Sequence, residues 1–125
     1  MCSLSDGEWK IMKVLWREQP QTVGQLTQAL DAETGWSRTT VFIMLKRLIA
    51  KGAVRLDDSG RVQVYYAEIT REEMVPEETS SFLSRVFDGS LGMMVSSLVS
   101  HRALSEEELS ELRNILDEAE KSSKP

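Results

Sequence analysis

The 125-residue chain has one cysteine, Cys2, and one histidine, His101. A lone thiol cannot close an intramolecular disulfide, and Cys2 lacks the partners of a metal site, so neither a stapled extracellular scaffold nor a thiolate centre is expected. His101 has no carboxylate or thiol at ligand spacing and is expected on the surface, in a loop or at a helix end. Long apolar runs are also missing. None approaches the ~18 to 20 residues of a membrane span. The opening M-C-S-L-S-D-G-E has neither the basic flank nor the apolar core of an export signal, which makes a reducing cytoplasm the expected location. No internal repeat and no catalytic set emerges, and the run Glu106, Glu107 and Glu108 is explained by the charge preference of a helix start. No enzyme activity and no cofactor are expected.

What the chain does have is charge sorted by position. The net charge is −5 at pH 7, an apparent obstacle to nucleic-acid binding. Residues 36–71, however, hold Arg38, Lys46, Arg47, Lys51, Arg55, Arg61 and Arg71 against Asp57, Asp58 and Glu68, a net +4. Residues 76–125 hold five basic and ten acidic residues, a net −5. Distribution matters more than the sum, and the basic part suits phosphate.

The basic part has helical order. Ser5 with Glu8 and Thr22 with Gln25 are capping boxes. The first precedes the stripe Trp9, Met12, Leu15 and Trp16, and the second precedes Val23, Leu26, Ala29 and Leu30. Gln19-Pro20-Gln21 separates these helices. Ala32–Trp36, with Gly35, reads as the turn before a third helix that Ser37 caps. In that helix Val41, Met44, Leu45 and Leu48 share one face, while Arg38, Thr39, Thr40, Ile43, Lys46 and Arg47 fall largely on the other. Two helices flanking a turn make a helix-turn-helix, with the third helix as the candidate reader of double-stranded DNA. Lys51-Gly52 ends it.

Val54-Arg55-Leu56, Asp57–Gly60 and Val62–Ala67 then describe a β-hairpin, with Arg61 at its tip. A two-stranded hairpin is marginal alone and must pack on the helices. Tyr65 and Tyr66 alternate faces, so one is core and the other faces DNA or a partner; the sequence does not say which. Trp9, Trp16 and Trp36 read as core rather than as base-stacking groups.

Thr70 with Glu73 suggests a further helical start, but Pro76 is expected to interrupt it, so a long helix settles only from about Pro76. Its apolar face is Phe82, Leu83, Val86 and Phe87, up to the break at Asp88-Gly89. Leu91, Met94, Val95, Leu98 and Val99 form a second stripe, and Ser105 with Glu108 caps a last helix carrying Leu109, Leu112, Ile115 and Leu116. Fewer than ~60 residues cannot readily hide three such faces, so a homodimer interface is expected. The tail from Lys121 is expected to be disordered. The fold class is mainly α with a small β-hairpin: a winged helix-turn-helix over residues 1–70, followed by a helical dimerisation region over 71–125.

The segments L-S-D-G-E-W-K-I-M-K-V-L-W at 4–16, W-S-R-T-T-V at 36–41, L-K-R-L-I-A-K-G-A-V at 45–54 and S-F-L-S-R-V-F-D-G-S-L at 81–91 resemble the penicillinase repressor family. The resemblance covers nearly the whole chain. It implies a homodimer that places one reading helix in each half of a dyad operator and represses genes for β-lactamases or other resistance determinants. It also implies induction by a membrane sensor-protease system that cuts within the C-terminal helices. The matching stretch is V-S-S-L-V at 95–99, which puts the bond near Ser97-Leu98, although the family's Asn-Phe is replaced on both sides. Copper-responsive relatives carry C-terminal cysteines, and this chain has none. At the reading face Phe42 and Ile43 stand where well-known members have polar residues; Ile43 could still contact a thymine methyl, whereas Arg38, Thr40, Lys46 and Arg47 keep donors for phosphate or base contact. A rival reading from another class is a winged helix that binds a protein partner with the same surface.

Overall fold

The computed structural model describes residues 3–101 and 104–123, so Cys2 lies outside the described residues. In order these form α1 (Asp6–Arg17), α2 (Val23–Thr34), α3 (Arg38–Ala50), β1 (Val54–Asp57), β2 (Val64–Ala67), α4 (Arg71–Phe87), α5 (Leu91–His101) and α6 (Glu106–Ser123). Mainly helical with one small hairpin, the architecture is the one expected. Two compact units divide the chain, the first ending at Glu78 and the second starting at Thr79.

Helix starts follow the sequence signals. The Glu8 backbone N–H donates to Ser5 Oγ at 3.2 Å while the Ser5 N–H donates to Glu8 Oε1 at 2.8 Å, and Thr22 and Gln25 repeat the exchange at 3.1 and 2.9 Å. Each satisfies two backbone donors that a helix start leaves free. α2 runs further than the turn read at Ala32–Trp36: it continues to Thr34, whose Oγ1 donates back to the Leu30 carbonyl at 2.9 Å. The chain leaves the helix only at Gly35, where φ is 65°, a left-handed conformation that glycine adopts without Cβ strain. The turn is therefore shorter, at residues 35–37.

The core of the first unit joins Ile11, Met12 and Leu15 from α1, Leu26 and Leu30 from α2, Val41, Leu45 and Leu48 from α3, and Val54 and Tyr65 from the hairpin, all buried. Trp9, Trp16 and Trp36 pack against it half-buried, with the Trp9 and Trp16 rings edge-on at 5.6 Å. β1 and β2 pair antiparallel, Val54 opposite Ala67 and Leu56 opposite Tyr65. β2 begins at Val64 rather than at Val62, because Val62, 61% exposed, has no face to bury and joins the loop. The question between the tyrosines is resolved: Tyr65 is buried, and Tyr66 lies half-buried beneath the Arg55 guanidinium, 4.3 Å from its ring centre.

The hairpin is not left to its own two strands. Gln21 bridges to Tyr65 through N–H···O contacts of 3.2 and 2.8 Å, a third short pairing that the sequence did not announce. Trp16 Nε1 donates to the Ile69 carbonyl at 2.9 Å, and the Ala67 N–H donates to Gln19 Oε1 at 2.8 Å. These bonds tie the strands to α1 and to the loop after it, as a marginal hairpin requires.

Pro76 does not interrupt α4, which is continuous from Arg71. Proline there gives up the hydrogen bond to the Glu72 carbonyl and costs about 3 kcal/mol. Two effects of comparable combined size oppose that cost. The Thr70 and Glu73 capping exchange contributes about 1 kcal/mol, and the fully buried Met74 side chain about 1.5–3 kcal/mol. Met74 also explains why the first unit extends to Glu78, into α4, and not to the 70/71 junction read from the sequence. Glu78 Oε1 accepts from the Leu4 N–H at 3.0 Å, closing that unit.

In the second unit α4 ends at Asp88 and Gly89, both at positive φ, and Ser105 and Glu108 make the capping exchange that opens α6. α6 is helical through Ser123, so Lys121–Ser123 form its last turn instead of a disordered tail; Lys124 and Pro125 lie outside the described residues.

One buried charge stands out. Glu8 is 2% exposed, and its Oε1 accepts from Lys51 Nζ at 2.6 Å, joining the start of α1 to the end of α3. Burial pushes the Glu8 carboxyl up, but the hydrogen bonds from Lys51 and Ser5, with the Lys51 charge, outweigh it and hold the group below its ordinary 4.5. Lys51→Met leaves the carboxylate buried without its cation and is expected to cost about 1–3 kcal/mol at pH 7. Because the folded-state value is the lower one, this stabilisation is complete above about pH 4.5 and is lost as pH falls through the folded value. Urea unfolding followed by tryptophan fluorescence should show the gap between native and variant at pH 7 and its narrowing as the pH falls below about 4.5.

Candidate nucleic-acid interface

α3 begins where its cap puts it. Ser37 is extended, with φ −78° and ψ 164°, and its Oγ accepts from the Thr40 N–H at 3.2 Å. From that start Val41, Leu45 and Leu48 are turned wholly inward, at 0% exposure. With 3.6 residues per turn, the opposite face centres on Thr39, Ile43 and Lys46. Thr39, Ile43, Lys46 and Arg47 are all exposed.

The remaining candidates stand at the edges of that face. Arg38 is exposed, but its guanidinium crosses the first turn of α2: a Cβ built on Gly24 would lie 2.8 Å from Arg38 Nη2. Glycine at position 24 makes that approach possible, a role no sequence pattern signalled. Thr40 is half-buried at the other edge, its Oγ1 3.2 Å from Ser37 Oγ. Of the two threonines, Thr39 is the central one. Ser37 is exposed at the helix start, and Arg61 is exposed in the loop between β1 and β2. That loop is shaped at its root by Asp57, whose Oδ1 accepts from Ser59 Oγ at 2.6 Å and from the Ser59 N–H at 3.0 Å; these bonds hold its carboxyl below the usual range.

Charge pairing sorts the cations. Lys10 pairs with Glu33, Lys51 with Glu8 and Arg55 with Glu68. Among the described residues no carboxylate pairs with Arg38, Lys46, Arg47 or Arg61. Lys46 Nζ lies 5.1 Å from the centre of the Phe42 ring. The cations on the reading face thus keep their charge for an outside anion, and α3 contains no acidic residue to oppose them.

In the second unit, Phe82, Val86, Leu91, Val95, Leu98 and Leu116 are exposed, while Phe87, Leu109 and Leu112 are half-buried. The Phe82 and Phe87 rings meet edge-on at 6.0 Å. No residue of α5 or α6 is buried. Ser97 and Leu98 lie inside α5, and His101 is its exposed last residue.

Comparison with known proteins gives one consistent result. The family model described as "Penicillinase repressor" matches residues 4–118. The penicillinase repressor of Bacillus licheniformis is 36% identical over 115 residues, 92% of this chain and 90% of that protein. The methicillin resistance regulatory protein MecI of Staphylococcus aureus (strain N315) is 25% identical over 114 residues, 91% of this chain and 93% of that protein. Among solved structures, the Bacillus licheniformis BlaI monomer in complex with the blaP half-operator superposes with a TM-score of 0.51 at 35% identity, over 58% of this chain and 88% of that one.

The cap geometry yields a direct expectation. Ser37→Ala removes the acceptor of the Thr40 N–H and should lower stability by about 1 kcal/mol, within the ~0.5–2 kcal/mol known for such caps. A urea midpoint unchanged from the native protein would mean that the α3 start is held by packing alone.

Proposed function

The chain belongs to the penicillinase repressor family, and from that premise we propose that it is a DNA-binding transcriptional repressor of antibiotic-resistance genes, β-lactam resistance among them. It acts in the cytoplasm as a homodimer, setting one α3 into each half of a pseudo-palindromic operator. The observation that carries this reading is the outward face of α3, where Thr39, Ile43, Lys46 and Arg47 share one side with no carboxylate partner. Arg38 and Ser37 at the helix start and Arg61 on the loop extend the same donor set toward the backbone, where phosphate contacts fix register. Support comes from the relative whose monomeric form was solved in complex with a half-operator. The role is one of occupancy and needs no catalytic group.

Dimerisation rests on the second unit. Val86 is 50% exposed, Leu91 58% and Leu116 63%, more open apolar surface than a small helical unit keeps in water without a partner. A second copy covers it in this reading, and half-sites then fall about one helical turn apart. Induction by a membrane sensor-protease system that cuts Ser97-Leu98 would require α5 to unwind there, since both residues lie inside the helix. No described helix is itself long and apolar enough to cross a membrane.

Affinity for duplex DNA should fall with salt at a log–log slope of about −0.9 per phosphate neutralised. Lys46→Ala should weaken binding to all duplexes about evenly and reduce that slope by about one unit. A flat salt dependence would favour the rival role of a protein-binding winged helix. For assembly, Leu116→Asp places a charge on an exposed apolar position and should leave monomers in sedimentation, where the native chain runs as a dimer. A monomeric native chain would remove the dimer from the proposal.

A further inference from the structure

α3, from Arg38 to Ala50, contains no asparagine, glutamine, aspartate or glutamate. That composition limits how it can tell bases apart. In the major groove adenine is singled out by the paired donor and acceptor of an amide side chain, and cytosine by a carboxylate that accepts from its amino group. Neither chemistry is present. Arginine and lysine remain for the acceptor pair of guanine, and hydroxyls serve either kind of base.

The helix does offer something unusual on its wet side. Ile43 is 46% exposed and Phe42 39%, while Val41, Leu45 and Leu48 on the opposite side of the helix are fully closed. Ile43 has Thr39 one turn before it and Lys46 and Arg47 one turn after, so on this face it is a large apolar group among donors. Phe42 is differently occupied, because the Lys46 ammonium lies over its ring. The aromatic thus supports the cation, and the aliphatic side chain is the one free to meet a base. Along the major-groove base edges, the apolar group available to it is the C5-methyl of thymine.

We infer that Ile43 reads thymine by its C5-methyl group, so that α3 recognises A·T pairs through an apolar contact in place of amide hydrogen bonds. The inference rests on the DNA-binding reading above and assigns it a base and a side chain. Phe42 acts as a positioning residue, holding Lys46 beside the contact.

The test uses the full-length protein and a duplex recovered by it from a random pool. Each thymine of that duplex is replaced singly by deoxyuridine, which lacks the methyl and pairs as thymine does. For the native protein, one thymine per half-site should show a loss of about 4-fold, the factor that corresponds to one methyl-sized group at ~0.8 kcal/mol. Ile43→Ala, at an exposed position that does not endanger folding, should bind the thymine and deoxyuridine duplexes equally. If deoxyuridine changes nothing at any position while the selected duplex is still preferred over a scrambled one, the methyl contact is wrong and the repressor reading stands. If Ile43→Ala keeps the full deoxyuridine effect, another side chain reads the methyl and the assignment fails. If the pool returns no preferred sequence, both the inference and the reading beneath it fall.

Discussion

The withdrawal of Val41, Leu45 and Leu48 from water fixes the orientation of α3, and the candidate interface depends on that orientation. Each of the three is at 0% exposure. Burying a side chain of this kind contributes about 1.5–3 kcal/mol. Together they are comparable with the ~5–15 kcal/mol net stability of a whole domain. Rotating α3 by even one residue position would forfeit a large part of that, so the face bearing Thr39, Ile43, Lys46 and Arg47 has no alternative but to point outward. The Ser37 cap at one end and the Lys51 contact to Glu8 at the other set where the helix begins and where it is tied to α1.

Much of this was legible in the residues, because the signals involved are local. Capping boxes at Ser5, Thr22, Thr70 and Ser105 marked helix starts correctly, since a cap needs only a side chain and the backbone three residues on. The inward stripe of α3 was legible for a similar reason: its period is a property of the helix alone. Elements went astray where distant groups decide. Pro76 is tolerated because Met74 is buried by residues far away in sequence. β2 starts late because Val62 finds nothing to pack on. The Gln21 pairing with Tyr65 spans a separation that no local pattern encodes.

Within the candidate interface the same division holds. Which residues face outward followed from periodicity, whereas their neighbours did not. The guanidinium of Arg38 lies over the backbone at Gly24 and the ammonium of Lys46 over the Phe42 ring, and both placements alter what those cations can reach. They also separate two roles that the sequence merged. Thr39 and Ile43 are central to the face, while Arg38 and Thr40 border it. The apolar stripes of α4, α5 and α6 make the opposite case: their helices were read from spacing, and their exposure is what spacing alone leaves undetermined. That exposure is what the proposal of a second copy rests on.

The central claim is that α3 is the surface that meets DNA. Backbone amide shifts of the full-length protein, followed by nuclear magnetic resonance as a selected duplex is titrated in, test it most directly. The account predicts that the largest changes fall on Ser37–Arg47, with a second group in the loop around Arg61. Changes confined to α5 and α6, with α3 unmoved, would contradict it.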